Sequence, residues 1–197
     1  MLDYIFTLKY RLPFDASPDA LVERLGEAGL TDALAGIGIA GRLGLEFTRA
    51  ASSGTAALES AAADVSLCLP EAVLIEACPD YAGLTDIAEH VGLSRQAVRK
   101  IMAADKDFPA PVHDGSTGLW HLSEVLDWFM RSRQQDVDPA LCEVAWAARA
   151  LNAGIESAKI LGLGHAAASV PARASLDVTS PPENHGLLRG RKDRRLA

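Results

Sequence analysis

Four long polar side chains, with no acid among them, follow a predicted glycine turn in the stretch "LTDIAEHVGLSRQAVRKI", residues 84–101. Arg95 and Arg99 are four residues apart, and so are Gln96 and Lys100. This spacing places all four on one side of a helix. Arginine can pair bidentately with guanine, glutamine with adenine, and lysine with guanine or phosphate. The pattern therefore favours a helix that reads the major groove of double-stranded DNA.

Two short helices around one glycine would present these side chains. A first helix is expected to begin at Thr85, Gly92 permits a left-handed turn, and Ser94 is placed to cap the second helix. The apolar positions that would bury the pair are Ile87, Ala88, Val91, Val98, Ile101 and Met102. The spacing predicts a helix-turn-helix. The alternative is a solvated helical pair that contacts a protein, but a protein partner would not require both this turn and this basic helix.

The following segment, residues 108–133, predicts a hairpin and a third helix. The prolines of "FPAPV" favour an extended chain, and Asp114 with Gly115 favours a turn. Ser123 is the expected cap of the helix. The inward-facing side chains of that helix are expected to be Val125, Leu126 and Phe129.

These stretches resemble the excisionase and AlpA-like, MerR-related winged helix-turn-helix family over about residues 83–131. The likeness rests on the helical pair, on "FPAPV", on "GLWHLSEVLDWF" and on their order. It implies DNA binding through the second helix, with the wing touching the neighbouring backbone or minor groove. The wing tip "DGSTG" departs from the family, whose wings often carry arginines.

The expected DNA contacts combine the helix spacing with this resemblance. They are Thr85, Ser94, Arg95, Gln96, Arg99, Lys100, His113, Ser116 and Thr117. The two wing hydroxyls can bind phosphate, and either His113 or His121 could add a pH-dependent contact. No catalytic, cofactor-binding or metal-binding residue is expected. Three cysteines at long spacings fit neither a disulfide framework nor a zinc site, and no HExxH or P-loop motif occurs.

A separate domain is expected ahead of the helix-turn-helix. The stretch "DYIFTLKYRL" alternates Tyr4, Phe6, Leu8 and Tyr10 against Ile5, Thr7 and Lys9, which is the period of a half-buried strand. A helix follows, capped by Ser17 and stopped by Gly29, with an apolar stripe. The expected stripe is Leu21, Val22, Leu25 and Ala28.

The rest of that domain completes a β-α-β-β-α-β order. A hairpin is expected to turn near Ala40 and Gly41, an alanine-rich helix follows Ser53, and "AVLIEAC" supplies the fourth strand. This order predicts a ferredoxin-like sandwich with one open sheet face. The fold class is thus α+β, with a ferredoxin-like domain over residues 1–80 and the winged helix-turn-helix over residues 81–135.

A separate helical region is predicted after the winged helix-turn-helix, over residues 136–164. A helix from Pro139 to about Leu161 places apolar residues at spacings of three and four, namely Leu141, Val144, Ala148, Leu151, Ile155 and Ala158. Two interpretations are open: a two-stranded seam that dimerises the protein, or packing on the open face of the front sheet. Residues 165–197 are expected to be a disordered basic tail.

The charge distribution decides which segment can approach DNA. The whole chain has a net charge of −7, and residues 1–80 hold five basic and twelve acidic side chains. The helix-turn-helix segment is nearly neutral, with six basic and seven acidic residues. With no apolar run of membrane length and no leader pattern, the sequence predicts a cytoplasmic protein without a membrane partner.

The sequence therefore predicts a sequence-specific DNA-binding protein, in the main a transcriptional regulator, that acts as a homodimer and is not an enzyme. Two alternatives stay open. One is an excisionase-like architectural protein that bends DNA. The other is an antitoxin-like or adaptor-like module whose front sheet binds a protein partner. A small effector bound by the front domain, at the edge of the glycine-rich hairpin, is a further possibility.

Overall fold

The computed structural model of the chain describes residues 1–14 and 16–162, apart from the side chain of Pro18. It is an α+β structure with a four-stranded antiparallel sheet and six helices. The predicted basic tail, residues 165–197, lies outside the described residues. Within the part of the chain that is described, no helix is long and apolar enough to cross a membrane.

The sheet is built from four strands in the first eighty residues. They are β1 (Leu2–Arg11), β2 (Ala33–Gly36), β3 (Arg42–Ala51) and β4 (Val73–Cys78). Their order across the sheet is β2-β3-β1-β4, and every neighbouring pair is antiparallel. The predicted alternation of β1 is confirmed, because Tyr4, Phe6, Leu8 and Tyr10 are all buried while Ile5 and Lys9 are exposed.

Helices α1 (Pro18–Glu27) and α2 (Gly54–Cys68) cover the face on which those aromatic residues lie. Leu21 and Leu25 of α1 are buried as predicted, but Val22 and Ala28 are exposed. The stripe of α1 is therefore narrower than expected, because this helix covers only one margin of the core. The hairpin turn is confirmed: Gly41 has a φ of 72°, which favours glycine.

The second part of the chain forms its own apolar cluster. It contains β5 (Tyr81–Ala82), α3 (Leu84–His90), α4 (Arg95–Ala104), β6 (Trp120–His121) and α5 (Leu122–Arg133). The short strands β5 and β6 pair in antiparallel fashion. Because β5 directly precedes α3 and β6 directly precedes α5, this pairing holds the starts of the two helices close together.

The start of α5 corrects one prediction. Its cap is His121, and Ser123 lies inside the first turn, where it is buried. The helix begins early because the backbone N–H of Leu122 donates to the carbonyl of Asp80 at 2.7 Å. The Ser123 hydroxyl has no hydrogen-bond partner among the described residues, so this serine does not cap the helix.

Helix α6 (Pro139–Ile160) joins the two clusters. Its side chains Val144, Ala148, Leu151 and Ile155 are buried against the sheet, on the face that α1 and α2 also cover. Ala145 and Leu141 pack into the second cluster. Neither interpretation of the apolar stripe is correct, since it packs within its own chain and does so on the covered face of the sheet.

A buried asparagine fixes α6 beside the outer edge of β4. The side-chain oxygen of Asn152 accepts from the backbone N–H of Ala77 at 2.7 Å, and its Nδ2 donates to the carbonyl of Ala77 at 2.9 Å. These bonds satisfy backbone groups that an edge strand would otherwise leave open. The β4 edge is thereby closed to a further strand at this position.

Candidate nucleic-acid interface

The turn between α3 and α4 has the geometry that the sequence predicts. Gly92 has a φ of 66°, and the N–H of Leu93 donates to the carbonyl of Ala88 at 2.9 Å. The Ser94 hydroxyl accepts from the N–H of Ala97 at 3.2 Å and so caps α4. The first helix begins at Leu84 rather than at Thr85, with Thr85 exposed in its first turn.

The outward side of α4 consists of the predicted polar residues. Arg95, Gln96, Arg99 and Lys100 are all exposed, whereas Val98 on the opposite side is buried. Within residues 1–14 and 16–162, none of these four side chains has an ion pair or a side-chain hydrogen bond. Their charges and donors are therefore available to a partner molecule.

Other arginines in the chain are engaged. Arg24 pairs with Glu71, Arg131 with Asp127, and Arg49 lies between two carboxylates, those of Asp32 and Asp64. The basic side chains of α4 therefore differ from these arginines, whose charges are already paired with carboxylates. The N-terminal end of α4 adds the partial positive charge of a helix terminus beside Arg95.

The carboxyl-terminal end of α4 is held against α5. Asp105 lies 3.6 Å from Arg133, and the Arg133 guanidinium stacks over the Trp128 ring at 5.4 Å. Phe108 packs edge-on against the same ring, with centroids 4.9 Å apart. Gln135 extends this support, since its Nε2 donates to the carbonyl of Val91 in the turn at 3.1 Å.

No local pattern in the sequence predicts these supports of α4. Asp105, Arg133 and Gln135 look like ordinary surface residues, and their contacts join positions that are far apart in the chain. The aromatic run "DWF" in α5 was the available signal, because aromatic side chains that are buried in a small cluster organise their surroundings.

The predicted wing is a short hairpin. The N–H of Leu119 donates to the carbonyl of His113 at 3.0 Å, and that of Val112 donates to the carbonyl of Leu119 at 2.7 Å. Ser116 and Thr117 are exposed at its tip, as is His113 at its base. The indole N–H of Trp120 donates to the carbonyl of Pro109 at 3.1 Å and anchors this hairpin to the chain before it.

His121 does not belong to this surface. Its Nδ1 lies 2.6 Å from a carboxylate oxygen of the buried Asp80, and its ring stacks on Tyr81 at 5.2 Å. A side chain that is held in this way is not available for a DNA contact. The suggested pH-dependent role can therefore rest only on His113.

The front sheet carries a cavity of about 320 Å³ between the end of α1 and α2. Its lining residues are Ala28, Gly29, Leu30, Arg49, Asp64, Leu67 and Cys68. The glycine-rich hairpin, which was the expected edge of an effector site, does not line it. Because Arg49 is already paired with two carboxylates, the cavity lacks a free cation for an acidic ligand.

No group of three or more His, Cys, Asp or Glu side chains in the described ranges could hold a metal ion.

Comparison with known proteins gives no guide to the site: no family model, no curated protein and no solved structure matches this chain.

Proposed function

We propose that this chain is a sequence-specific DNA-binding protein, a transcriptional regulator, that places α4 in the major groove. In this proposal α3, the Gly92 turn and α4 are a helix-turn-helix, and the hairpin before α5 is its wing. The strand order β2-β3-β1-β4 supports a ferredoxin-like front domain, and the likeness to AlpA-like and excisionase proteins supports a cytoplasmic DNA-binding role.

The unpaired polar side of α4 is the observation that carries the proposal. Exposed charges on proteins usually find partial compensation nearby, as the arginines at positions 24, 49 and 131 do here. Arg95, Arg99 and Lys100 instead lie on a rigidly supported helix without such partners in the described part of the chain. Side chains of these types, at this spacing, match the donor and acceptor pattern of base pairs in the major groove.

In this proposal the wing and the first turns of α3 and α4 contact the DNA backbone and position α4. Thr85, Ser94, Ser116 and Thr117 bring hydroxyl groups to the surface of this part of the chain, where they can bind phosphate oxygens and fix the position of α4. His113, exposed at the base of the wing, brings an imidazole to the same surface. No step of bond making or breaking is part of this function.

Selection from a library of random DNA duplexes tests the proposal. The purified full chain is mixed with the library at about 150 mM salt, where binding through phosphates alone is weak, and bound duplexes are sequenced. An enriched motif that is lost in the Arg95→Ala, Arg99→Ala, Lys100→Ala triple variant supports the proposal. A folded protein that enriches no motif overturns it, and a motif that the triple variant still enriches shows that another surface reads DNA.

The same selected duplex separates regulation from architecture. If the protein bends its site strongly, as measured by the mobility of circularly permuted fragments, the excisionase-like alternative is favoured. Straight DNA in the complex favours the regulator. Both outcomes retain α4 as the reading helix.

A further inference from the structure

The outer edge of β2 carries backbone groups that its ladder with β3 does not use. Successive residues of an antiparallel strand bond alternately to the two sides of the strand. The N–H of Thr48 donates to the carbonyl of Asp32 at 2.9 Å, so Leu34, two residues further on, also bonds to β3. The N–H and C=O groups of Ala33 and Ala35 therefore point outward, away from the sheet.

No hydrogen-bond partner closes this edge within the described part of the chain. There, no backbone group outside the ladder bonds to Ala33 or Ala35. Strand edges are usually protected by a charge, a proline or a bulge, and β2, "ALAG", has none of these. The opposite edge of the sheet differs, because the Asn152 side chain already bonds to the backbone of Ala77. The edge of β2 thus offers donors and acceptors at the spacing of a further strand.

A stretch with the pattern of a strand lies beyond the described residues. Residues 172–179, "ARASLDVT", alternate apolar and polar side chains over their whole length, which is the period of a half-buried strand. Val178 and Thr179 are β-branched and so favour a strand. Pro171 directly precedes the stretch, and Pro181 follows it closely, as is typical of the bounds of a strand. We call residues 172–179 the tail segment.

Helix α6, which leads to the tail segment, runs parallel to β1. The hydroxyl of Tyr4 donates to Oε2 of Glu143 at 2.9 Å, and Asn152 bonds to Ala77, the cross-strand neighbour of Leu8. From Glu143 to Asn152 along the helix is about 13 Å, and from Tyr4 to Leu8 along the strand is also about 13 Å. The helix therefore ends towards the carboxyl-terminal end of β1.

The edge of β2 is within reach from there. Ile160 lies about 12 Å beyond Asn152, above β1 and β4, on which α6 packs. With strands about 4.8 Å apart and a helix layer about 10 Å above them, a fifth strand beside β2 is about 25 Å from Ile160. The eleven residues between Ile160 and Ala172 can span about 40 Å. The tail segment would arrive at the Gly36 end of β2 and run antiparallel to it.

A tethered strand suits this edge better than a separate molecule does. Strand β2 has four residues and is about 13 Å long. It is too short to hide the roughly 800 Å² on each partner that a stable complex of separate chains needs. A segment of the same chain is instead present at an effective concentration of about a millimolar. A few backbone hydrogen bonds then suffice to hold it.

We propose that the tail segment, residues 172–179, adds a fifth strand to the sheet, antiparallel to β2 and bonded to the outward groups of Ala33 and Ala35. The side chains of these two alanines are half-buried against the core. On the same face Leu176 and Val178 extend the core, while the polar side chains of the tail segment lie on the other face. The proposal does not depend on DNA binding.

Amide hydrogen exchange of the full chain, followed for each residue by NMR, tests the proposal. The N–H groups of Ala33 and Ala35 should exchange at least about tenfold more slowly than in the Ser175→Pro, Leu176→Pro double variant. Two adjacent prolines are used because only every second N–H of a strand faces its neighbour. Leu34 is an internal control: its N–H bonds to β3, so its exchange should be the same in both proteins.

Two further variants separate the tail segment from the rest of the tail. Leu187→Pro, Leu188→Pro is the matched control, because it places the same two prolines after the tail segment and should leave the exchange of both alanines unchanged. Leu176→Asp, Val178→Asp keeps every N–H of the tail segment but makes its apolar face acidic. This variant should also speed the exchange of both alanines at least about tenfold, because a carboxylate cannot extend the core.

Three outcomes overturn the proposal. If Ala33 and Ala35 exchange in the unaltered chain as fast as exposed loop residues do, no strand covers the edge. If they exchange slowly and Ser175→Pro, Leu176→Pro does not change this, another group occupies the edge. If the protection grows with protein concentration while the sedimenting mass rises above 20.9 kDa, the added strand comes from a second copy and not from the same chain.

Discussion

The Nδ1 atom of His121 lies 2.6 Å from Oδ1 of Asp80, and Nδ2 of Asn152 donates to the other oxygen of the same carboxylate at 2.8 Å. Asp80 is only 1% exposed, so both oxygens depend on these partners. The three residues come from the end of the sheet, from the strand before α5 and from α6. This cluster fixes the orientation of the proposed DNA-reading unit relative to the sheet.

Breaking the Asp80 cluster should be costly and cooperative. We expect Asp80→Ala and His121→Ala each to lower the free energy of unfolding by about 2 to 4 kcal/mol, because each leaves a buried polar group without its partner. In the double variant the loss should be smaller than the sum by about 1 to 3 kcal/mol. Urea unfolding of the four proteins measures this coupling.

An exposed pair provides the control for that cycle. Arg131 pairs with Asp127 four residues earlier on the surface of α5, and exposed pairs of this kind contribute little. Arg131→Ala should change the free energy of unfolding by less than about 0.5 kcal/mol. Additive losses for Asp80→Ala and His121→Ala would show that the two side chains act independently, contrary to the geometry.

Two glycines should respond to alanine in opposite directions. A Cβ atom on Gly54, at the start of α2, would lie 2.7 Å from the backbone carbon of Glu143 in α6. The Gly54 N–H also donates to Oε2 of Glu143 at 2.8 Å. Gly54→Ala must therefore push α2 and α6 apart, and we expect a loss of about 1 to 3 kcal/mol.

Gly154 supplies the matched comparison because it lies within α6, where a Cβ atom would meet nothing within 4 Å among the described residues. Gly154→Ala should raise the free energy of unfolding by about 0.5 to 1 kcal/mol, since alanine costs less backbone entropy in a helix. Thermal or urea unfolding measures both variants. A stabilising Gly54→Ala would mean that α2 and α6 are not in close contact.

Local sequence patterns predicted the elements but not all of their partners. The alternation from Tyr4 to Tyr10 identifies the inner face of β1 because the period of two is a property of the strand itself. The left-handed conformation at Gly92 likewise follows from a local steric rule. For α6 the spacing of Leu151 and Ile155 shows which side is apolar, but a stripe carries no information about the surface that covers it.

In the candidate site, too, local patterns predict some features and not others. The exposed side of α4 could be predicted because its residues lie four apart on one helix. The Ser123 cap was wrong because Asp80, which is distant in sequence, binds the backbone of Leu122 and sets the start of α5. The suggested DNA contact of His121 fails for a similar reason, since no local pattern shows that Asp80 holds this side chain. Long-range polar contacts decide both cases.

The thiol of Cys78 should be unreactive in the folded protein. Burial, with a smaller contribution from the charge of Glu76, raises the pKa of Cys78 to about 11, against the opposing effect of Lys9. At pH 8 only about one thiol in a thousand is then ionised, and the thiolate is the reactive form. We expect iodoacetamide to alkylate Cys78 at least about tenfold more slowly in the native protein than in urea.

Peptide mass spectrometry of timed samples gives the rate for Cys78 separately from Cys68 and Cys142. The native rate should increase as the pH rises towards 11, because the thiolate fraction grows with each step. The same cysteine in the unfolded chain is its own control. Equal rates at pH 8 in both states would contradict the burial of this thiol.

Arg99 provides the sharpest test of the α4 surface. The side chain is exposed and has no partner in the described part of the chain, so Arg99→Ala should leave the free energy of unfolding unchanged within about 0.5 kcal/mol. If the guanidinium pairs with a base, binding to the selected duplex should weaken by about 1 to 3 kcal/mol, and discrimination at one base position should relax. Fluorescence anisotropy on the site and on single-base variants measures both effects.

Arg131→Ala separates base reading from a general loss of positive charge. It removes the same charge from the same unit, but its guanidinium is already paired with Asp127, so specific binding should change little. If Arg99→Ala weakens binding to every duplex equally and also reduces the salt dependence by about one counterion, Arg99 contacts phosphate and not a base. If Arg99→Ala and Arg131→Ala weaken binding equally, the position of the charge does not matter, and α4 does not lie in the groove.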